Sequence, residues 1–204
     1  HSCVEACCCA GLVEPIPICK LKRVASVGAK VAWLGDEPLA VEFSTGKKAA
    51  IICAGPAGLA AAHDLALMGV QPVIFEKQLE AGGFLRTGIL NYRLPKEILD
   101  EDIDYIRGMG VEIRTGAVIG EEGVKFDDLV EEYDSVLIAV GLSESRSLPI
   151  PGVDLPQVLL AVPFLEAVNA GREVPELGKE IIVIGGGNAA IDVARSAKRI
   201  SGAK

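Results

Sequence analysis

The residues best suited to chemistry in this chain form two short glycine-rich turns and one carboxylate. The first turn reads Cys53-Ala54-Gly55-Pro56-Ala57-Gly58 and the second Gly185-Gly186-Gly187-Asn188-Ala189-Ala190. Each follows an apolar run and opens a helix-forming segment, an arrangement that aims free backbone N–H groups and the positive end of a helix dipole at a phosphate. Gly55 and Gly187 stand where a backbone must approach a pyrophosphate closely, and Gly58 and Ala190 where the helix must pack closely on its strand. Pro56 suits a first helical turn, where its missing N–H would be unpaired anyway. Glu76, 18 residues beyond Gly58 and at the end of the next apolar run, can accept hydrogen bonds from ribose hydroxyls. The first turn departs from GxGxxG at Cys53, where a side chain could tilt the strand or weaken phosphate binding. The second fits GxGxxA throughout. Two dinucleotide sites are the expectation.

These groups need strands and helices to hold them. Ala49 to Ala54 is an apolar run, an alanine-rich segment then extends to Gly69, and Pro72 to Phe75 is a second apolar run. This is strand, turn, helix, helix stop and parallel strand, a βαβ unit whose sheet must be covered by helices. Pro95 opens an amphipathic helix in which Ile98, Leu99, Ile103, Ile106 and Met109 share a face, with Asp100, Glu101 and Asp104 toward solvent. Val111 to Thr115 and Ser135 to Val140 read as further strands flanking a helix over Phe126 to Glu132. Leu148 to Pro163 is proline-rich loop, Ala161 to Ala170 a further helix, and Glu180 to Ile184 an apolar strand leading into the second turn. Gly187 follows Gly55 by 132 residues, too far for a solenoid repeat and suited to two nucleotide-binding domains.

The fold class is therefore α/β. A Rossmann-like domain with a parallel sheet is expected over 47–175, the first βα unit of a second one over 176–204, and a short, mostly helical appendage over 1–46, with a turn or two of helix from Ile18 to Ala25. Half of the 204 residues are hydrophobic, enough to bury a real core. Asp and Glu outnumber Lys and Arg by 28 to 20, for a net charge of -8 with scattered basic residues, which argues against nucleic acid as a partner. No apolar run has the length of a membrane span and there is no secretory leader pattern, so no membrane partner and a cytoplasmic location are expected. The chain starts at His1 rather than Met and stops one helix after the second turn, and so reads as a piece of something longer.

Beyond the two turns, several stretches resemble a known family. They are Gly55-Pro56-Ala57-Gly58-Leu59 through Glu76, Gly82-Gly83-Phe84-Leu85-Arg86-Thr87-Gly88-Ile89, Tyr92-Arg93-Leu94-Pro95-Lys96, Tyr133 to Gly141, Ile150-Pro151-Gly152, and Gly185-Gly186-Gly187-Asn188. Together they are similar to the small subunit of glutamate synthase and its relatives, among them the amino-terminal half of dihydropyrimidine dehydrogenase and the flavin subunits of NADPH:ferredoxin transhydrogenases. The resemblance implies FAD at the first turn and NAD(P)H at the second, with Gly82, Gly83, Leu85 and Arg86 lining the flavin. Paired glycines permit close approach, and a guanidinium can neutralise the pyrophosphate or charge on the reduced isoalloxazine. Lys77, Val118 and Gly141 complete the expected FAD positions, beside Cys53, Gly55, Pro56, Ala57, Gly58 and Glu76. Gly185, Gly187, Asn188 and Ala189 are those expected for the nicotinamide cofactor.

Five of the six cysteines fall within the first 19 residues. In the family this region binds iron–sulfur clusters, and the resemblance places Cys3 and Cys7 at ligand positions, with a [4Fe–4S] cluster implied for the full-length protein; Cys8, Cys9 and Cys19 match none. No Cys-x-x-Cys pair lies near the second turn, which argues against a thioredoxin-reductase type of chemistry. His63 and Trp33 lack partners at catalytic spacing and read as structural. The expectation is an FAD-dependent, NAD(P)H-linked oxidoreductase passing electrons through iron–sulfur centres to a partner subunit or iron–sulfur protein. The alternative is a non-catalytic FAD-binding module without a complete nicotinamide site.

Overall fold

The computed structural model describes residues 6–32, 41–120, 122–142 and 144–202. They fall into two compact units divided between residues 39 and 40. In the smaller, a 3-10 turn at Cys8–Gly11 precedes helix α1, Ile18–Ala32. This helix is longer than the expected Ile18 to Ala25. Its later residues include Ala25, Ala29, Lys30 and Ala32, whose types favour helix, and the single Gly28 costs only about 1 kcal/mol against alanine.

The larger unit is built on a parallel four-stranded sheet of β1 (Lys48–Ile52), β2 (Gln71–Glu76), β3 (Glu112–Thr115) and β4 (Ser135–Ile138), in the order β3-β2-β1-β4. Helix α2, Pro56–Leu67, joins β1 to β2. Short α3 (Phe84–Thr87) and long α4 (Lys96–Gly108) join β2 to β3, and α5 (Phe126–Glu132) joins β3 to β4. Two more helices follow, α6 (Ala161–Asn169) and α7 (Asn188–Ser201). The α/β class and the βαβ opening are as the apolar periodicity indicates. In register, Ile51 lies between Ile74 and Leu137, and Ile52 between Phe75 and Ile138.

Because neighbouring residues of a strand face opposite ways, the sheet carries two cores. One face buries Ile51 and Ile74 against Leu59, Ala62 and Ala66 of α2 and Leu99 and Ile103 of α4. The other buries Ala50, Ile52, Val73 and Phe75 against Leu129 and Tyr133, with the Phe75 and Tyr133 rings meeting edge to face at 5.9 Å. Val41 and Phe43 pack on the first core. A third cluster of Leu90, Phe164, Leu165 and Ala197 joins α6 and α7 to the loop before α4.

Four expectations change. Glu180 to Ile184 is not a strand: no described residue pairs with it, and Ile182 is 90 % and Ile184 71 % exposed. An apolar run alone does not make a strand without a neighbouring ladder. Ser135 to Val140 is strand only to Ile138, though the Ala139 N–H still donates to the Ile52 carbonyl at 3.0 Å. Ile98 lies on the flank of α4 and is exposed, whereas Leu99, Ile103 and Met109 are buried. Asp100 is half-exposed but also pairs with an arginine, Arg86.

Candidate dinucleotide site

In an open parallel sheet, ligands sit beyond the carboxyl ends of the strands, where the strand order reverses. Here the order runs away from β1 in both directions, to β2 on one side and β4 on the other. The turn after β1 is Cys53–Gly58, at that reversal point. Glu76 ends β2, Val118 follows β3, and Gly141 follows β4 with a φ of 66°, so the topology gathers all of these on one edge. The rim is stitched together by backbone. Ala117 N–H donates to the Glu76 carbonyl and Gly116 N–H to the Gln78 carbonyl, each at 2.9 Å. Val118 and Lys77 are exposed there.

The two glycines of the first turn do different things. A Cβ on Gly58 would stand 2.0 Å from the Cys53 carbonyl oxygen, so only glycine lets α2 rest on the turn. A Cβ on Gly55 would meet nothing closer than the Cys53 Sγ at 3.7 Å, and its φ of -76° suits any residue. The fold needs Gly58, while Gly55 is glycine without the fold requiring it. Pro56 is the first residue of α2, and Pro56 and Ala57 are exposed at its open N-terminus.

Glu76 is only 2 % exposed, yet its carboxylate is paired on both oxygens: Ala54 N–H donates to Oε2 at 2.7 Å and Gln78 N–H to Oε1 at 2.9 Å. Two acceptor oxygens offer about four lone-pair directions, so capacity for hydroxyl donors remains. Beside it, Cys53 takes a φ of 88°, the one non-glycine residue with positive φ among the described residues. Burial, and then the negative charge of Glu76, push its thiol pKa up, against the Gly55 N–H that stabilises the thiolate.

The Gly82–Gly83 segment packs directly on this turn. Gly82 N–H donates to the Ala54 carbonyl at 2.9 Å, and a Cβ on Gly83 would come 2.7 Å from the Gly55 Cα. Both glycines have positive φ, 126° and 52°. Leu85, on α3, is half-buried against the first core. Arg86 does not present its guanidinium as a free positive charge at this rim. It is buried, donates from Nε to the Ala81 carbonyl at 2.5 Å, pairs with Asp100 of α4 and lies 3.7 Å from Glu80. Its charge is taken up by two acids of the chain itself, because the α3 turn carries the side chain back toward α4.

The second turn opens α7. Gly185 has a φ of 125°, a Cβ on Gly187 would meet nothing within 4 Å, and Asn188 and Ala189 are exposed at the helix N-terminus. The residues match the first turn in kind, but no strand of the described residues stands before them.

A family model described as pyridine nucleotide-disulphide oxidoreductase matches residues 47–204. The chain belongs to this family. Among its relatives, the beta subunit of the NADP(+)-dependent formate dehydrogenase of Moorella thermoacetica is 40% identical over 98% of this chain and 31% of its own length. The glutamate synthase [NADPH] small chain of Escherichia coli is 39% identical over 78% of this chain and 36% of its own length. That match bears out the resemblance to the glutamate synthase small subunit. The chain spans about a third of the length of these two relatives. Among solved structures, Mycobacterium tuberculosis FprA in complex with NADPH superposes with a TM-score of 0.56 at 29% identity, over 61% of this chain and 29% of FprA.

In the smaller unit, Cys3 lies outside the described residues, as does Trp33. Cys7 stands at the N-cap position of the 3-10 turn without a side-chain capping bond, and the backbone at Ile16 and Cys9 lowers its thiol pKa from the ordinary value. No group of three or more metal-ligating side chains comes together among the described residues. His63 hydrogen-bonds its neighbour Asp64 at 2.8 Å and lies beside the Tyr105 ring, a structural placement. No helix of the described residues is long and apolar enough to cross a membrane.

Sequence reasoning assigned no role to Asp100, Asn169 or Asp192. Asn169 donates to the carbonyls of Thr87 and Ile89, both at 2.9 Å, and Asp192 receives Tyr92 and Arg93. Their partners lie 14 to 100 residues away, beyond any helical or strand period.

Proposed function

We propose that this chain is the flavin-binding part of an FAD-dependent, NAD(P)H-linked oxidoreductase that passes electrons between nicotinamide, flavin and iron–sulfur centres. The observation that carries the reading is the convergence, at the reversal point of the sheet, of a glycine turn, a buried carboxylate with acceptor capacity to spare, and a second glycine pair packed on the first. The N-terminus of α2 faces the pyrophosphate, and Glu76 accepts from the ribose hydroxyls. Gly82 and Gly83 keep side chains away from the cofactor, and Arg86 positions that segment by tying it to α4. Gly185, Gly187, Asn188 and Ala189 offer the same chemistry to the nicotinamide dinucleotide at α7. When bound, the flavin supplies the exchange between two-electron hydride transfer and one-electron transfer.

Support for the iron–sulfur end comes from Cys7. Its thiol pKa is lowered by the backbone at Ile16 and Cys9, which favours the thiolate a metal needs, and Cys3 and Cys7 are the ligands this chain would contribute. The names of the relatives as beta subunits and small chains favour a partner subunit as the electron-transfer companion.

The test is the absorption spectrum of the purified full-length protein, followed by anaerobic addition of NADH or NADPH. A bound flavin that bleaches with either is expected. A flavin that never bleaches would instead identify a non-catalytic FAD-binding module, and no flavin after reconstitution would sink both readings.

A further inference from the structure

Asp192 is a buried acid, 5 % exposed, one helical turn below the second glycine turn. A buried carboxylate is costly unless paired, and this one is paired entirely with the first half of the chain. Arg93 donates from Nη1 to Oδ2 at 2.6 Å, and the Tyr92 hydroxyl donates to Oδ1 at 3.1 Å. Two further cations of α7 hold the same tyrosine: the guanidinium of Arg199 lies 4.3 Å and that of Arg195 4.8 Å from its ring centroid.

Tyr92 and Arg93 stand in the loop that continues from Gly82–Gly83 through α3. That loop is fastened at its other end by the Gly83–Gly55 backbone contact. Midway, Asn169 holds the carbonyls of Thr87 and Ile89, while Lys96 Nζ donates to the Asn169 carbonyl at 3.1 Å. A continuous path of close contacts therefore runs from the first glycine turn, along the loop, across the Asp192 carboxylate and into the helix that begins at the second. Arg93 is partly exposed, so its pair with the buried Asp192 contributes little net stability, but it holds one arrangement of loop and helix against others.

We propose that Asp192 is a positioning residue: with Tyr92 and Arg93 it clamps the helix of the second dinucleotide turn to the loop of the first, and so sets the placement of one cofactor against the other. The proposal rests on the function argued above, since hydride transfer requires reacting atoms about 3–3.5 Å apart, and a 1 Å misplacement costs on the order of a hundredfold. The clamp acts on the rate of transfer and leaves each site's own binding groups in place.

The test measures the single-turnover rate of flavin reduction by saturating NADH or NADPH in the full-length protein and in Asp192→Asn, Arg93→Gln and Tyr92→Phe. Asp192→Asn and Arg93→Gln should each slow reduction by about tenfold or more, at unchanged flavin occupancy and little changed nicotinamide affinity; the double variant should be no slower than the worse single one. Tyr92→Phe, which deletes one hydrogen bond and keeps the ring between the arginines, should fold as wild type and show a smaller loss. The second readout is amide hydrogen exchange of the apoprotein, expected to rise together in 87–94 and 188–201 in the Asn and Gln variants. Reduction at the wild-type rate with exchange unaltered would overturn the clamp while the oxidoreductase reading stands; a wild-type flavin that neither cofactor reduces would overturn that reading first.

Discussion

The carbonyl oxygen of Cys53 occupies the place where a side chain on Gly58 would begin, 2.0 Å from its ideal Cβ. Cys53 directly follows β1, its N–H held by the Phe75 carbonyl at 2.7 Å, and Gly58 lies within α2, so neither backbone can swing aside. Gly58→Ala must lift the helix off the strand, at a cost of about 3 kcal/mol, the upper range for overpacking, and it should lose flavin as well. Gly55→Ala is the informative contrast. Its Cβ meets only ordinary contacts, so urea denaturation should show a change within about 1 kcal/mol, while flavin occupancy should fall, because on the function proposed above the added carbon would stand where the pyrophosphate approaches the turn. Equal stability losses in the two variants would show that Gly55 serves the fold rather than the ligand.

Cys53 itself carries strain. A non-glycine residue at a φ of 88° costs about 1–2 kcal/mol, and Cys53→Gly relieves it at the expense of some chain entropy in the unfolded state. A net gain of about 1 kcal/mol in denaturation free energy is expected, with flavin occupancy maintained or raised. Lower stability or lost flavin would mean that the thiol contributes contacts the turn depends on.

The same thiol gives a pH dependence with a definite sign. Burial and the charge of Glu76 raise its folded pKa, so between the ordinary thiol value and the raised one the unfolded chain holds fewer protons than the folded one. Stability contributed by the protonated thiol is thus complete below the ordinary thiol value and lost as pH rises through the folded pKa. Denaturation midpoints across the alkaline range should fall less steeply in Cys53→Gly than in wild type. Parallel slopes would contradict the assignment.

These features differ in how far the sequence discloses them. The βαβ unit is written in local periodicity, with apolar runs at β1 and β2 and small residues along α2, and the spacing from Gly58 to Glu76 follows from that geometry. The resemblance to a family brought in Gly82 and Gly83, whose contact with Gly55 no spacing rule implies. Glu180 to Ile184 has the composition of a strand, but a strand is a relation to a neighbour and none of the described residues supplies one. Asp100 has the helical position of a solvated acid, and its partner Arg86 reaches it through a turn of α3 that periodicity does not encode. Asp192, with partners 99 and 100 residues distant, is beyond local reading for the same reason.

Glu76 links stability to binding, because its carboxylate closes two backbone N–H groups before any ribose arrives. Glu76→Ala leaves the buried Ala54 N–H without an acceptor and costs about 1–3 kcal/mol of stability in the apoprotein. Glu76→Gln keeps one acceptor oxygen but turns an amide donor toward the other N–H, so about half that loss is expected. Isothermal titration with FAD should show weakened binding in both, by a few kcal/mol at most. Apoprotein as stable as wild type in Glu76→Ala would show that the two N–H groups find water instead.

Arg86 and Asp100 set the last expectation. The pair fixes the loop carrying Gly82 and Gly83 to α4, and the Arg86 Nε also satisfies the buried Ala81 carbonyl. Arg86→Met keeps much of the side-chain volume but abandons that carbonyl, and should destabilise the apoprotein by about 2 kcal/mol. Asp100 is half-exposed, so Asp100→Asn should cost less than 1 kcal/mol, the scale of a partly screened ion pair. If Arg86 instead acted on the cofactor's phosphates, Arg86→Met would leave apoprotein stability unchanged and weaken FAD binding with a strong salt dependence. Melting the apoprotein and titrating FAD at low and high ionic strength separates the two roles, because a brace within the protein changes the first measurement and a phosphate contact the salt slope of the second.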